Sequence, residues 1–198
     1  MKRYEIIQKL IDKNKYKSYL EIGVLGNETF NSLRNLDIKD SVDPNGQAKY
    51  TMTSDVFFNE NHCQNKYDIV FIDGLHLSEQ VLRDIKNSLN VLNDGGIIVI
   101  HDCLPNYEWE QWREGISGRP WTGDVWKSIV ELRYDDDLDI CVVDTDCGCG
   151  LIKKQKNTSS LNIKKPDGEM NWNFYLENRN TLLNVISVED FITKFIGG

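Results

Sequence analysis

Short aliphatic runs alternate with amphipathic stretches along most of this chain, and that alternation constrains the fold more than any other feature. Strands are predicted at Ser18–Ile22, Lys39–Val42, Tyr67–Ile72 and Ile97–Ile100. The run Tyr67–Ile72 is almost continuously apolar, which is typical of a strand covered on both faces. Between the last two strands, apolar residues of Ser78–Leu92 fall on one helical face. Strand, helix and strand in repetition predict an α/β fold with a mainly parallel sheet and helices on both faces.

The remaining elements follow from the same patterns. Helices are predicted over residues 3–13, Asn27–Leu36, a short stretch from Asp55, and Thr122–Leu132. A weak third strand is predicted near Tyr50–Met52. A terminal antiparallel hairpin is predicted from Asp139–Val143 and Leu151–Lys153. A polar connection over 155–170 then leads to a helical tail.

Length and charge narrow the function classes. The 198 residues fit one domain over 1–198. A net charge of -8 argues against nucleic acid as a partner, and the longest apolar runs are too short to span a membrane. The beginning of the sequence has no apolar signal-peptide core, and five irregularly spaced cysteines do not suggest a disulfide framework. We therefore expect a cytoplasmic protein acting on a small molecule.

Polar residues follow the strands at the sheet edge where α/β proteins bind ligands. Glu21 and Gly23 end the first strand, although Gly23 and Gly26 do not match the dinucleotide fingerprint. Asp43 lies 22 residues beyond Glu21, the spacing of a ribose-binding carboxylate, while a turn-forming role ahead of Pro44 is the alternative. Ser54-Asp55 either caps a helix or contacts an adenine edge.

The densest signal lies after the fourth and fifth strands. Asp73 and His76 follow one of them, and His101 and Asp102 follow the other. Two of the chain's three histidines thus lie at the ends of neighbouring strands, each near a carboxylate, which favours a functional site over isolated structural histidines.

These segments, in their order and spacing, resemble a known family. The segments similar to class I S-adenosylmethionine (SAM)-dependent methyltransferases are Tyr19-Leu20-Glu21-Ile22-Gly23-Val24, Ser41-Val42-Asp43-Pro44, Phe71 to His76, Leu82-Arg83-Asp84-Ile85 and Gly95 to Asp102. The branch is the small bacterial one with macrolide-sugar O-methyltransferases and cephalosporin-hydroxylase-like proteins. The resemblance covers a core of about residues 16–153 and implies a Rossmann-like, seven-stranded sheet ending in an antiparallel hairpin.

The resemblance also implies a role for each matching residue. The cofactor-binding residues would be Glu21 and Gly23 for the methionine end, with Asn27 in place of a second glycine, Asp43 for the ribose, Ser54 and Asp55 for the adenine, and Asp73. The implied metal ligands are Asp73, His101 and Asp102, and the implied catalytic residues are His76 as base and Asp73.

The metal implied by the resemblance would be magnesium or manganese. His101 occupies a position where metal-dependent members more often carry Asp or Glu, so a transition ion, or a role for His101 in hydrogen bonding only, stays open. A metal on Asp73 and Asp102 would lower the pKa of an acceptor hydroxyl, and His76 would remove its proton. The alternative for His76 is a residue at a helix entry.

A long loop over 104–123 carries most of the tryptophans and is predicted to be a substrate lid. Its candidate substrate-binding residues are Trp109, Trp112, Arg113, Arg119 and Trp121. The aromatic rings could stack on a sugar, and the arginines could bind an anionic group. Packing on the sheet or a subunit interface is an equal alternative. Trp126 is predicted to lie in the core, and Asp144 to Gly148 to form a hairpin turn rather than a calcium loop.

The sequence therefore predicts a SAM-dependent methyltransferase that methylates a hydroxyl of a small, sugar-like metabolite, with a divalent metal as a candidate second cofactor. The rivals are a metal-dependent hydroxylase-like enzyme on the same scaffold and a non-catalytic module that binds the cofactor. Aromatic residues of the C-terminal extension, 155–198, could cover a sheet face or a neighbouring subunit, so a homodimer stays open.

Overall fold

A seven-stranded sheet forms the centre of the computed structural model, which describes residues 1–45, 47–59, 62–164 and 170–197. The strands are β1 Ser18–Ile22, β2 Ile38–Val42, β3 Tyr67–Ile72, β4 Leu92–Ile100, β5 Leu138–Val143, β6 Cys149–Lys154 and β7 Val185–Ile186. Their spatial order is β2-β1-β3-β4-β6-β5-β7. The first four are parallel, and β6 pairs antiparallel with both β4 and β5. The predicted α/β class with a terminal hairpin is confirmed.

Helices cover both faces of this sheet. They are α1 Arg3–Asn14, α2 Glu28–Ser32, α3 Ser54–Asn59, α4 Ser78–Val91, α5 Val125–Leu132, α6 Trp172–Leu182 and α7 Val188–Phe191. Alternate residues of β3 enter different cores: Val70 packs on the side of α4, α5 and α6, and Phe71 packs on the side of α1 and α7. This period of two follows from strand geometry. None of these helices combines the length and apolar character needed to cross a membrane.

The predicted third strand near Tyr50–Met52 is wrong. The chain there makes a single bridge between Val42 and Tyr50 and then enters α3 at Ser54. The seventh strand comes instead from the C-terminal tail, where β7 pairs parallel with β5. Two residues of edge pairing carry too little periodicity to be recognised in a sequence.

Two predicted helices are shorter than expected, the first because the backbone becomes extended at its C-terminal end and the second because left-handed backbone precedes it. Asn27, with φ 56°, precedes α2, and the helix ends at Ser32 ahead of the extended Leu33. The left-handed conformation of Asn27 agrees with its predicted replacement of a glycine. Gly123, with φ 57°, delays α5 to Val125.

The C-terminal tail is part of the hydrophobic core. Phe191 is fully buried in the cluster that contains Ile6, Ile7 and Leu10 of α1, and its ring stacks on Phe195. On the other face, Tyr175 of α6 is fully buried and stacks on Trp172. Trp126 is buried beside Tyr175, as predicted.

The carboxyl ends of β1, β3 and β4 are held level by backbone contacts. Asp73 N donates to Ile22 O at 2.8 Å, and His101 N donates to Ile72 O at 3.0 Å. Gly23 has φ +86°, and a Cβ placed on it would lie 2.1 Å from the carbonyl oxygen of Asp73. Only glycine fits this approach, which brings the residues after the three strands to one place.

We predict that Phe191→Ala lowers the free energy of unfolding by about 3–5 kcal/mol, because it empties a fully packed aromatic site. Leu176→Ala is the control, since that side chain is 50% exposed, and we expect a change within about 0.5 kcal/mol. Urea denaturation measures both values. Equal stability of the two variants would mean that the tail docks only loosely.

We predict that Gly23→Ala destabilises the fold by roughly 3 kcal/mol, the sum of a left-handed backbone and a collision with Asp73. Gly26→Ala is a matched control, since Gly26 has φ +77° but nothing within 4 Å of an added Cβ. It should cost only about 1–2 kcal/mol. Thermal and urea unfolding of the pair separate the two contributions, and identical losses would contradict the close approach.

Candidate functional site

A cleft of about 660 Å³ opens at the carboxyl ends of β1, β2, β3 and β4. This volume lies in the range of small-molecule binding pockets. Of the predicted site residues, those that line the cleft are Glu21, Gly23, Asp43, Ser54, Asp55, Asp73, His76, His101, Asp102 and Trp121. The topology therefore brings the separate strand-end signals into one cavity.

Two histidines and two aspartates form the most compact group in the cleft. His76 Nε2 lies 3.3 Å from Asp73 Oδ1, and His76 Nδ1 lies 3.4 Å from Asp102 Oδ2. His101 Nδ1 lies 3.4 Å from Asp73 Oδ1 and 3.3 Å from Asp102 Oδ2. Each carboxylate thus meets both imidazole rings. Asp102 has φ 60°, a left-handed conformation that turns the chain directly after His101.

The short distances between these histidines and aspartates shift the pKa values of His101, Asp73 and His76. Burial disfavours a charged His101, yet hydrogen bonds to Asp102, Asp146 and Asp73 outweigh it and raise the pKa of the imidazole well above its usual range. For Asp73, the two histidines likewise outweigh burial and lower the pKa of the carboxyl. The pKa of His76 is raised, because hydrogen bonding to Asp73 and the charges of Asp102 and Asp73 exceed the effect of burial.

Sequence reasoning missed two residues of this network, Arg3 and Asp146. Arg3 at the start of α1 lies with Nε 3.6 Å from Asp73 Oδ2 and with Nη1 3.4 Å from His101 Nε2. Asp146, in the turn between β5 and β6, lies 3.6 Å from His101 Nε2 and 3.2 Å from Arg3 Nη1. The predicted hairpin turn is confirmed, but no local signal marks it as part of a site. Arg3 and Asp146 are far apart in the sequence and come close to Asp73 and His101 only in the folded chain.

Glu21 is 2% exposed and accepts a hydrogen bond from the buried Tyr19 hydroxyl. Burial is the main reason that the pKa of Glu21 is raised to about 8, although the bond from Tyr19 opposes the shift. A cation placed beside this carboxyl would favour its ionised form. Glu21 can therefore act as a buried partner for a positively charged ligand group.

The second strand end is built around Asp43. Its Oδ2 accepts from Val24 N at 2.9 Å, and its Oδ1 accepts from Asn45 N at 2.7 Å. The carboxylate therefore connects the loop after β1 to the loop after β2. Asn27 donates to Gln47 at 2.8 Å and does not line the cleft.

Ser54 and Asp55 lie farther along the cleft. Gln80 donates to Ser54 Oγ at 3.2 Å, and Arg83 Nη2 lies 3.4 Å from Asp55 Oδ2. Asp84, to which the sequence analysis assigns no role in the site, also lines the cleft; burial raises the pKa of its carboxyl to about 6.

The loop over 104–123 reaches the cleft through Trp121. Its ring stacks on His76 with centroids 5.0 Å apart, and His76 Nδ1 lies 3.2 Å from Trp121 O. Gly123 is required here, since a Cβ on it would lie 1.8 Å from His76 O.

The other candidate substrate residues of the loop contact protein groups. Arg113 pairs with Glu79 and with the buried Asp124, and Arg119 lies over the ring of Trp109 with Cζ 5.3 Å from the ring centroid. Trp112 is exposed, and its carbonyl accepts from Trp121 Nε1 at 2.6 Å. These residues do not line the cleft.

A metal-ligand set can be assembled from this group, but it differs from the predicted one. Asp73, His76 and Asp102 offer ligand atoms that all lie within 4.8 Å of one another. His101, the predicted third ligand, faces three carboxylates and Arg3. A proton on each of its ring nitrogens would leave no lone pair for a metal.

Comparisons with known proteins agree with this architecture. A family model described as a methyltransferase domain matches residues 20–103, from β1 to the residue after Asp102. No curated protein matches the chain.

Three solved structures have the same fold. A Podospora anserina methyltransferase bound to S-adenosylhomocysteine (SAH) matches with 14% identity and a TM-score of 0.55, over 79% of this chain and 80% of that one. A Bacillus cereus O-methyltransferase in complex with SAH matches with 16% identity and a TM-score of 0.55, over 76% and 78%. A Streptomyces achromogenes O-methyltransferase involved in tomaymycin synthesis, in complex with SAM, matches with 13% identity and a TM-score of 0.51, over 76% and 78%. This chain therefore has the fold of these methyltransferases, and its residues 20–103 are similar to the methyltransferase domain family.

Proposed function

We propose that the protein is a SAM-dependent O-methyltransferase that acts on a hydroxyl group of a small molecule. One observation carries the proposal: a single cavity is lined both by Glu21, Gly23 and Asp43 and by the His76–Asp73–Asp102 group. The first set suits an amino-acid nucleoside, and the second suits proton removal from a hydroxyl. Two structures of the same fold are O-methyltransferases with SAH or SAM.

The residues of the cleft fit SAM. The buried carboxyl of Glu21 suits the ammonium group, and the carboxylate of Asp43 suits the ribose hydroxyls. Gly23 leaves the floor of the cleft without a side chain. Ser54, Asp55 and Asp84 offer hydrogen-bonding groups for the adenine. When bound, SAM supplies the methyl group as a substituent of a positively charged sulfur.

The role of His76 is to accept the proton of the acceptor hydroxyl. Trp121 O and Asp102 face Nδ1 and hold a proton there, which leaves Nε2, beside Asp73, as the basic nitrogen. Stacking on Trp121 fixes the plane of the ring. General-base catalysis of this kind contributes ~10²–10⁴-fold to a rate.

A divalent cation at Asp73, His76 and Asp102 is a second way to activate the hydroxyl, supported by the spacing of the three side chains. Such an ion would lower the pKa of the hydroxyl directly. It would also use a ring nitrogen of His76, so the same imidazole could not serve as ligand and base through one atom.

We propose that the acceptor is neutral or cationic. Seven carboxyl side chains and one arginine, Arg3, line the cleft, and Arg113 of the loop is already paired with Glu79 and Asp124, so an anionic acceptor would be repelled except beside Arg3. The exposed side chains of Leu25 and Leu75 offer apolar contact at the mouth, and Trp121 offers a ring. A sugar-like acceptor is compatible with this lining.

Calorimetry with SAH tests the cofactor proposal. We expect binding by the wild type, weakened at least about tenfold in Asp43→Ala, because a charged hydrogen-bond acceptor is lost. Asp37→Ala is the control: this acid lies at the opposite, amino-terminal end of β2 and does not line the cleft. Absence of SAH binding to the wild type would refute the proposal.

We predict that His76→Gln lowers kcat by ~10²–10⁴-fold and leaves the Kd for SAH within about twofold. For the wild type, the rate should rise with pH as His76 loses its proton. Because the pKa of His76 is raised from 6.5, the midpoint should lie above pH 6.5.

The assay follows SAH release with an acceptor found by screening catechols and sugars, with and without EDTA. An unchanged rate in His76→Gln would contradict the base role, whereas SAH binding without turnover by the wild type would favour the binding-module rival. Loss of activity in EDTA, restored by manganese or magnesium, would favour the metal route.

A further inference from the structure

We propose that Arg3, which lies outside the matched methyltransferase region, binds the carboxylate of the amino-acid end of SAM. The inference rests on the proposed cofactor and assigns one of its charged groups to a residue of α1. Arg3 lines the same cavity as Glu21, Gly23 and Thr29. Arg3 reaches this cavity because the start of α1 packs beside the carboxyl ends of the central strands, although it is far from their loops in sequence.

The charges of the cavity require such a residue. The amino-acid end of SAM carries an ammonium and a carboxylate, and Glu21 suits only the ammonium. Among the described residues that line the cleft, Arg3 is the only one with a permanent positive charge, beside seven carboxyl groups. The carboxyl groups of the cleft repel a ligand carboxylate unless it binds the guanidinium of Arg3.

The hydrogen bonds of Arg3 leave part of its fork available. Nε donates to Thr29 Oγ1 at 3.2 Å, and Nη1 donates to Asp146 Oδ2 at 3.2 Å. Over the described part of the chain, Nη2 has no hydrogen-bond acceptor, and 24% of the side chain is exposed. A guanidinium has five N–H donors in a planar fork, so Nη2 can bind a ligand carboxylate while Nη1 keeps Asp146 and Nε stays 3.6 Å from Asp73.

Thr29 completes the site. It is 4% exposed and lines the cleft, and its oxygen accepts from Arg3. Its hydroxyl proton has no acceptor within the residues that the structure describes. A carboxylate between Arg3 and Thr29 would receive one bond from each, in the cleft that Glu21 also lines.

Asp146 positions Arg3 for this task. Its Oδ2 accepts from the backbone N–H of Arg3 at 2.9 Å and from Nη1, which fixes both the start of α1 and the direction of the side chain. The guanidinium is therefore ordered before a ligand arrives, so little side-chain entropy is lost on binding.

Calorimetry with two ligands tests the assignment. SAH contains the amino-acid carboxylate, whereas 5′-methylthioadenosine lacks the amino-acid end. In Arg3→Met we expect SAH to bind about 10–100-fold more weakly, the loss of a charged hydrogen bond, and methylthioadenosine to bind within about twofold of the wild type. Lys2→Met is the control: Lys2 also pairs with Asp146 but does not line the cleft, so both ligands should bind within about twofold.

A decarboxylated SAH, S-adenosyl-3-thiopropylamine, tests the same contact without mutation. It should bind the wild type about 10–100-fold more weakly than SAH, and Arg3→Met should not weaken it further. Equal loss of SAH and methylthioadenosine binding in Arg3→Met would show that Arg3 acts through the fold and would overturn the inference. So would unchanged SAH binding. If the wild type binds neither ligand, the cofactor proposal itself fails; if it binds both and Arg3→Met does not discriminate, only the Arg3 assignment fails.

Discussion

The contact between Gly23 and the backbone of Asp73 is the constraint on which the site depends. Because no side chain separates β1 from β3 at this point, their carboxyl ends lie level, and β4 follows through the bond from His101 N to Ile72 O. Side chains that are 50 to 80 residues apart in sequence thereby face one cavity. A larger residue at position 23 would push Glu21 away from Asp73 and His76, which the proposed reaction requires to be neighbours.

Once the strand ends are level, charge determines how the side chains are arranged. Asp73, Asp102 and Asp146 lie close together, and three carboxylates in a confined space repel one another unless cations are placed between them. His101 lies between all three, and Arg3 lies between Asp73 and Asp146. The raised pKa of His101 and the lowered pKa of Asp73 are two sides of the same interaction. The network therefore carries charges that hold the hairpin turn and α1 against the central strands.

The sequence predicted those parts of the molecule that depend on local patterns. Strand β3, helix α4 and the polar residues after each central strand all follow from hydrophobic periodicity and from the rule that parallel strands end at one edge. Arg3 and Asp146 could not be predicted, because they are 143 residues apart and only the completed sheet joins them. The arginines of the loop were assigned to an anionic ligand because the sequence does not show that Glu79 and Asp124 lie beside Arg113.

The same electrostatics relate the two routes of hydroxyl activation. Asp73 and Asp102 raise the pKa of His76, so they favour the protonated imidazolium. The base mechanism requires the neutral imidazole instead. A divalent ion held by the same carboxylates would reverse this preference, since a nearby cation disfavours the imidazolium. Metal and proton therefore compete for one set of oxygens and one ring, and occupancy by either changes what His76 can do. The stacking of His76 on Trp121 is available to the neutral and the charged ring, so it keeps the ring in place in both states. Binding or loss of a metal would then change how the acceptor hydroxyl is activated, while the acceptor continued to contact His76 and Trp121.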